Sequence, residues 1–281
     1  MSTVRRHSPL LALLLSSSTL LAFPLTAPAA SHALLIGITD YPGKLFPPLA
    51  GPKNDIPLVK TLLVSRLGVP EQNITTLLDA KATHTGIQKA FAALTERVQP
   101  GDFVYIHYSG HGSYTDDLNG DETLGKQDQT WVSYGATARK LPGLDDYAIL
   151  DDELRAWLIA LYRKTPQVVL VSDSCHSATV TRGVVTGVRA APPDPRPHPL
   201  GKQVFPSLDD PPGVRIGAAR DVEQAIETEI GGKNYGVFSW YWVEALNQVK
   251  PGETWDDVFR RVDTRVTTAP HVSQRDRKSV V

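Results

Sequence analysis

The sequence predicts an α/β domain with a mostly parallel central sheet and helices on both of its faces. Two observations carry this: short continuous apolar runs bounded by turn residues, and stretches between them whose apolar residues recur with a helical period. Runs without polar alternation fit strands buried on both faces, as in a parallel sheet. The first covers residues 33–38 and ends at Tyr41-Pro42-Gly43. A helix is expected over residues 56–67, and a second strand over 74–78. Ile87, Ala90, Phe91, Leu94 and Val98 then mark one helical face, followed by a strand at 103–108. Leu154, Trp157, Leu158 and Leu161 mark another, preceded by Asp151, Asp152 and Glu153, whose charges suit a helix N-terminus. Strands follow at 167–171 and 214–218. A last helical stripe runs through Trp255, Val258, Phe259, Val262 and Val266, with Thr254 as its N-cap.

The N-terminus and one internal segment stand outside this alternation. Residues 1–30 read as a signal peptide: Arg5, Arg6 and His7 precede an apolar stretch, and Ala27 and Ala29 give the small-x-small pattern of a cleavage site. That stretch falls short of the roughly 20 apolar residues of a membrane span, so export to the periplasm or the medium is expected, with no membrane span after removal. Residues 31–281 then form one domain. Within it, residues 190–213 hold eight prolines and predict an exposed, extended connector.

With 29 basic and 30 acidic residues, the net charge of -1 offers no electrostatic reason to bind nucleic acid or an anionic membrane. Cys175 is the single cysteine, which excludes a disulfide framework and directs attention to its thiol.

Two motifs end two of the predicted strands. Residues 103–112 (FVYIHYSGHG) run from an apolar strand into a histidine held between glycines. Residues 168–177 (VVLVSDSCHS) run from an apolar strand into the only thiol. Ligands and reacting groups gather at the carboxyl ends of parallel strands. A free thiol is mostly protonated near neutrality, so a nucleophilic Cys175 needs a base, and His111 is the candidate. His176 is a poor base for it, because adjacent side chains on an extended segment face opposite ways. The backbone N–H groups of Gly112 and Cys175 are candidate oxyanion donors. Asp173, two residues before the thiol, and Asp55 are candidate acidic residues of a pocket for a guanidinium or ammonium group. Asp55 reads equally well as a helix N-cap.

Residues 108–112 (YSGHG) and 173–177 (DSCHS) resemble the signature pair of the metacaspases, caspase-related cysteine peptidases. Residues 33–38, the 49–55 segment (LAGPKND), 119–122, 216–219 and 236–239 are similar to further parts of that family. The resemblance implies a caspase–hemoglobinase fold and peptide hydrolysis through an acyl-enzyme on the His111–Cys175 dyad. It also implies protein or peptide substrates cut after Arg or Lys. Arg182, Arg189, Arg196 and Lys202, in or beside the connector, are then candidate self-processing sites. The alternative is a catalytically idle caspase-like binding module. Many metacaspases bind calcium, and Asp128, Asp151 and Asp152 match part of such a set. Arg182 stands where another aspartate would be expected, and a cation there argues against a calcium requirement. No cofactor is expected to be required.

Overall fold

A computed structural model describes residues 29–44, 46–120, 127–136, 146–175, 187–194, 196–206, 212–218 and 225–268. Residues 1–28, Arg182, His176 and part of the connector lie outside these.

Five strands form the central sheet in the order β2-β1-β3-β7-β8, all neighbours parallel. They are β1 (Ser31–Gly37), β2 (Ile74–Leu78), β3 (Phe103–Ser109), β7 (Val168–Asp173) and β8 (Val214–Gly217). Each coincides with a predicted apolar run within two residues of its ends. The physical reason is two-sided burial. Leu34 and Ile36 of β1 enter one core, with Val104 and Ile106 of β3; Ala33 and Leu35 enter the other, with Tyr105, Val169 and Val171. Side chains alternate across a strand, so apolar faces on both sides give an unbroken apolar run. Full burial of each such Leu or Ile contributes about 1.5–3 kcal/mol.

Helices α2 (His84–Arg97) and α3 (Asp151–Tyr162) cover the first face through Ile87, Phe91, Leu94, Leu158 and Leu161. Helices α1 (Pro52–Ser65), α4 (Val237–Asn247) and α5 (Trp255–Thr268) cover the second. Thr83 caps α2 by accepting from Gly86 N, and Thr254 accepts from Asp257 N at the start of α5.

Two small units decorate the carboxyl edge of the sheet. One is the antiparallel set β4 (Gly112–Asp116), β5 (Gln127–Trp131) and β6 (Ile149–Leu150). It is pinned where Trp131 stacks on Tyr108 with ring centroids 4.4 Å apart and donates to Ser172 Oγ at 2.9 Å. The other is the hairpin β9 (Glu227–Ile230) and β10 (Lys233–Gly236), turned at Gly231-Gly232, both with positive φ. No helix among the described residues is long and apolar enough to cross a membrane.

Candidate active site

His111 lies two residues beyond the end of β3, and Cys175 lies two residues beyond the end of β7, its neighbour in the sheet. The two motifs therefore come off the same edge. Gly112 and Cys175 approach so closely that a Cβ on Gly112 would lie 1.6 Å from the Cys175 carbonyl oxygen, so only glycine fits at position 112.

His111 is fully buried. Its Nε2 lies 2.8 Å from the Pro47 carbonyl, which can only accept, so Nε2 carries the proton. In the neutral ring this leaves the lone pair on Nδ1, and Nδ1 has no hydrogen-bond partner. Tyr41 holds the ring from one side, with centroids 5.0 Å apart, and its hydroxyl accepts from the His111 backbone N–H at 2.8 Å. Burial pushes the imidazole down to about 4, so it is a neutral proton acceptor above that pH.

Cys175 is also buried. Its Sγ accepts from Ala225 N at 3.0 Å and lies 3.6 Å from Ala225 O. Burial pushes the thiol up to about 11, so it is protonated at neutral pH.

The segment 187–191 lies across this site. Arg189 places its carbonyl oxygen 2.9 Å from Gly112 N and 3.2 Å from Cys175 N. Both candidate oxyanion donors thus point at one atom, and that atom belongs to the chain itself. On one side Arg189 N donates to Ala225 O at 2.9 Å and Gly187 O accepts from Glu227 N at 2.8 Å, with Val188 bridging antiparallel to Ile226. On the other, Ala190 bridges parallel to Gly112.

The Arg189 side chain fills a buried acidic pocket. Nη2 lies 2.6 Å from Asp55 Oδ2 and 3.1 Å from Glu227 Oε1, while Nη1 lies 3.0 Å from Asp173 Oδ2 and donates to Ser109 Oγ at 2.9 Å. Gly236 forms one wall: a Cβ there would lie 2.2 Å from Asp173 Oδ2 and 2.7 Å from Arg189 Cζ. Three carboxylates around one guanidinium give charge-assisted hydrogen bonds in a buried site. Burial pushes the Asp55 carboxyl up, to about 6, with Asp173 adding repulsion and Arg189 opposing both.

Asp55 is not the N-cap of α1. It sits within the first turn of α1 behind an N-cap at Gly51, and its side chain turns inward to Arg189, Ser109 and Gly236 N. Glu227 was not singled out from the sequence. It reaches from β9 to accept from Ala50 N and Gly51 N, both at 2.8 Å, and so places a carboxylate at the start of α1. Asp173 is fixed by Ser239, whose N and Oγ donate to its Oδ2 at 2.9 and 2.6 Å. Behind Ser239 a buried chain continues through His107 Nε2, Tyr105 OH and Trp242 Nε1.

Asp128 and Asp152 accept from Leu118 N and the Asn119 side chain, and Arg155 pairs with Asp152. Among the described residues, no group of three His, Cys, Asp or Glu could hold a metal ion.

The connector starts inside this architecture: Ala191 is fully buried. Further along, Arg196 lies 4.4 Å over the Tyr147 ring and donates to Asp146 O, and His198 Nε2 meets Ala148 O at 3.1 Å.

Residues 31–182 match the family described as Metacaspase, peptidase C14 domain. The chain is similar to Metacaspase-1 of Eremothecium gossypii, 32% identical over 154 residues, covering 52% of this chain and 32% of the relative. It is also similar to Metacaspase-7 of Arabidopsis thaliana, 36% identical over 153 residues, covering 53% and 35%. These alignments span about a third of each relative's length. A crystal structure of a protein from Geobacter sulfurreducens shares the fold, with a TM-score of 0.61, 20% identity, and coverage of 84% of this chain and 89% of that one.

Proposed function

The chain belongs to the metacaspase family of peptidase C14 domains, and from that premise we propose that it is a cysteine endopeptidase cutting after Arg or Lys. Cys175 is the nucleophile and His111 Nδ1 its base. The observation that carries this reading is the seating of Arg189. Its carbonyl oxygen is held by the Gly112 and Cys175 N–H groups while its guanidinium is held by Asp55, Asp173 and Glu227. That is how a bound substrate would present the residue before the cleaved bond.

The steps follow from the groups present. The Cys175 thiol gives its proton to Nδ1, and sulfur attacks the carbonyl carbon after the basic side chain is seated. Negative charge develops on the oxygen between the two backbone donors. The imidazolium, with its Nε2–H still on Pro47 O, returns the proton to the leaving amine. Water then attacks the acyl-enzyme, with the same imidazole as base. No step is routed through a metal, and calcium is not required in this reading.

Self-processing follows, with the Arg189–Ala190 bond as the cut. Of the four basic residues in or beside the connector, Arg189 has its carbonyl on the oxyanion donors, whereas Arg196 is paired with Asp194 away from the thiol. Exported peptide substrates with exposed Arg or Lys are the expected targets.

Intact mass of the purified chain tests this. A split between residues 189 and 190, lost in Cys175→Ala, is expected, together with turnover of Arg- and Lys-terminated amide reporters. Equal turnover of Asp-terminated reporters would sink the specificity. An intact chain with no turnover and an unreactive thiol would instead favour the idle binding module.

A further inference from the structure

Beyond the basic residue, the geometry points to a second recognition element on the leaving side of the bond. We infer that substrates bind after the cut as a short strand along β4, with the Ser113 hydroxyl reading the second residue's carbonyl and a closed site admitting only a small side chain there. This rests on the peptidase reading above.

The leaving-side residues of the seated segment are Ala190 and Ala191. Gly112 N donates to Arg189 O, Ala191 N donates to Gly112 O at 2.9 Å, and Ser113 Oγ donates to Ala191 O at 2.9 Å. The first two are the backbone pair of a parallel bridge between Gly112 and Ala190, the contact by which an added strand begins, and the Ser113 side chain extends it by one residue. The side on which β4 pairs β5 is separate and already filled. Ala191 is fully buried and belongs to the core cluster with Phe46, Trp131, Val132 and Ala136. A long or charged side chain at that point would have to enter this apolar packing without a partner. Among the described residues, the buried Ser113 Oγ donates only to Ala191 O, so it serves the segment rather than β4's own fold. Nothing in the chemistry of the dyad calls for it.

The reach of the inference is therefore a sequence class: a basic residue, then a small pair, as in Arg-Ala-Ala. An aliphatic residue before the arginine fits too, because Val188 packs with Cys175 and Ala225.

Two measurements test it. In the first, the parent enzyme hydrolyses quenched peptides that differ only at the second residue after Arg. Ala there is expected to exceed Glu or Leu by about tenfold or more in kcat/KM, within the range that a small apolar site can discriminate. Any tethered product segment competes with all the peptides alike, so the ratio stands. In the second, full-length chains are pulse-labelled in cell-free translation and the cut at Arg189 is timed. Ser113→Ala is expected to slow it about 2–10-fold, the range for one neutral hydrogen bond. In the cut Ser113→Ala enzyme, the loss of kcat/KM on a peptide that carries a second residue should exceed the loss on an Arg reporter that ends in a chromophore, which has no second residue to read. Indifference to the second residue, an unslowed cut, or an equal loss on the short reporter would each overturn the inference. So would a parent that turns over the short reporter yet stays uncut. No turnover of any reporter by the parent is a different result, the failure of the peptidase reading itself.

Discussion

Arg189 and Asp55 form an ion pair at 2.6 Å in which neither side chain is reached by solvent. They lie 134 residues apart in the chain, and each has a second claim on the site. Asp55 also accepts from Ser109 Oγ and Gly236 N; Arg189 also meets Asp173 and Glu227. Taking such charges out of water is costly, and the cost is tolerable only while the set is complete.

Removing the guanidinium should therefore destabilise the uncut chain strongly. In a Cys175→Ala background, Arg189→Ala is expected to lower unfolding stability by about 3–5 kcal/mol, because three carboxylates remain buried without their cation. Denaturant titration measures it, and millimolar arginine amide should restore part of the loss. A change below about 1 kcal/mol, the scale of an exposed pair, would contradict the burial argument.

Thiol reactivity should report whether the segment is seated. In the uncut chain Cys175 is buried and its thiol is pushed up to about 11, so alkylation by iodoacetamide at pH 7.5 should be slow. After the cut, labelling should accelerate by at least about tenfold as the thiol gains solvent and its ordinary acidity. Mass spectrometry of both forms over time makes the comparison; equal rates would mean that the segment does not shield the sulfur.

Activity toward Arg reporters should rise with pH between 5 and 7. Asp55 has its carboxyl pushed up to about 6, so protons leave it as pH rises through that value and the charge that attracts a guanidinium appears. Below that pH, the neutral acid should raise KM. Burial pushes His111 down to about 4 in the uncut chain, and the Asp55→Asn comparison separates its titration from this limb. In Asp55→Asn the limb near 6 should vanish from a lower overall activity, which a kcat/KM profile would reveal.

Gly236→Ala should close the pocket while leaving the fold. Its Cβ would collide with Asp173 Oδ2 and the Arg189 guanidinium, displacing the bound residue by about an ångström and costing about a hundredfold in rate. Self-cutting and Arg-reporter turnover should fall together, and circular dichroism should be unchanged. Retained turnover would mean that the guanidinium is held elsewhere.

Much of the fold was legible because burial on both faces leaves a strong mark: β1, β3 and β7 each carry an unbroken apolar run of four residues or more. The edge units were not legible. β4 (GSYTD), β5 (QDQTW) and β9 (ETEI) are short and polar, stabilised by pairing and by contacts such as Trp131 on Tyr108 rather than by a pattern of their own. At the site, Cys175, His111, Asp173 and Asp55 could be singled out because glycines, a unique thiol and strand ends surround them. Glu227 offered no local signal, since its task at the start of α1 is set by residues 176 and 177 positions away. Arg189 was one of several basic residues near the connector. Only the folding of β9 beside it and α1 opposite distinguishes it.

The pairing of β8 with β7 spans the Arg189 position in the chain, running from Val169↔Val214 to Ser172↔Gly217. Beyond it, α4 and α5 bury Trp242, Val258 and Val262 against residues of β1 and α1. Scission at Arg189 would divide the polypeptide without dividing the core. The product would be a two-chain particle, one band on a native gel and two under denaturation, whose partners part only by unfolding. Neither partner owns a whole pocket: Asp55 and Asp173 travel with one, Glu227 and Gly236 with the other. Recognition of a basic residue would then be a property of their complementation, and fragments expressed apart should gain it only on co-refolding.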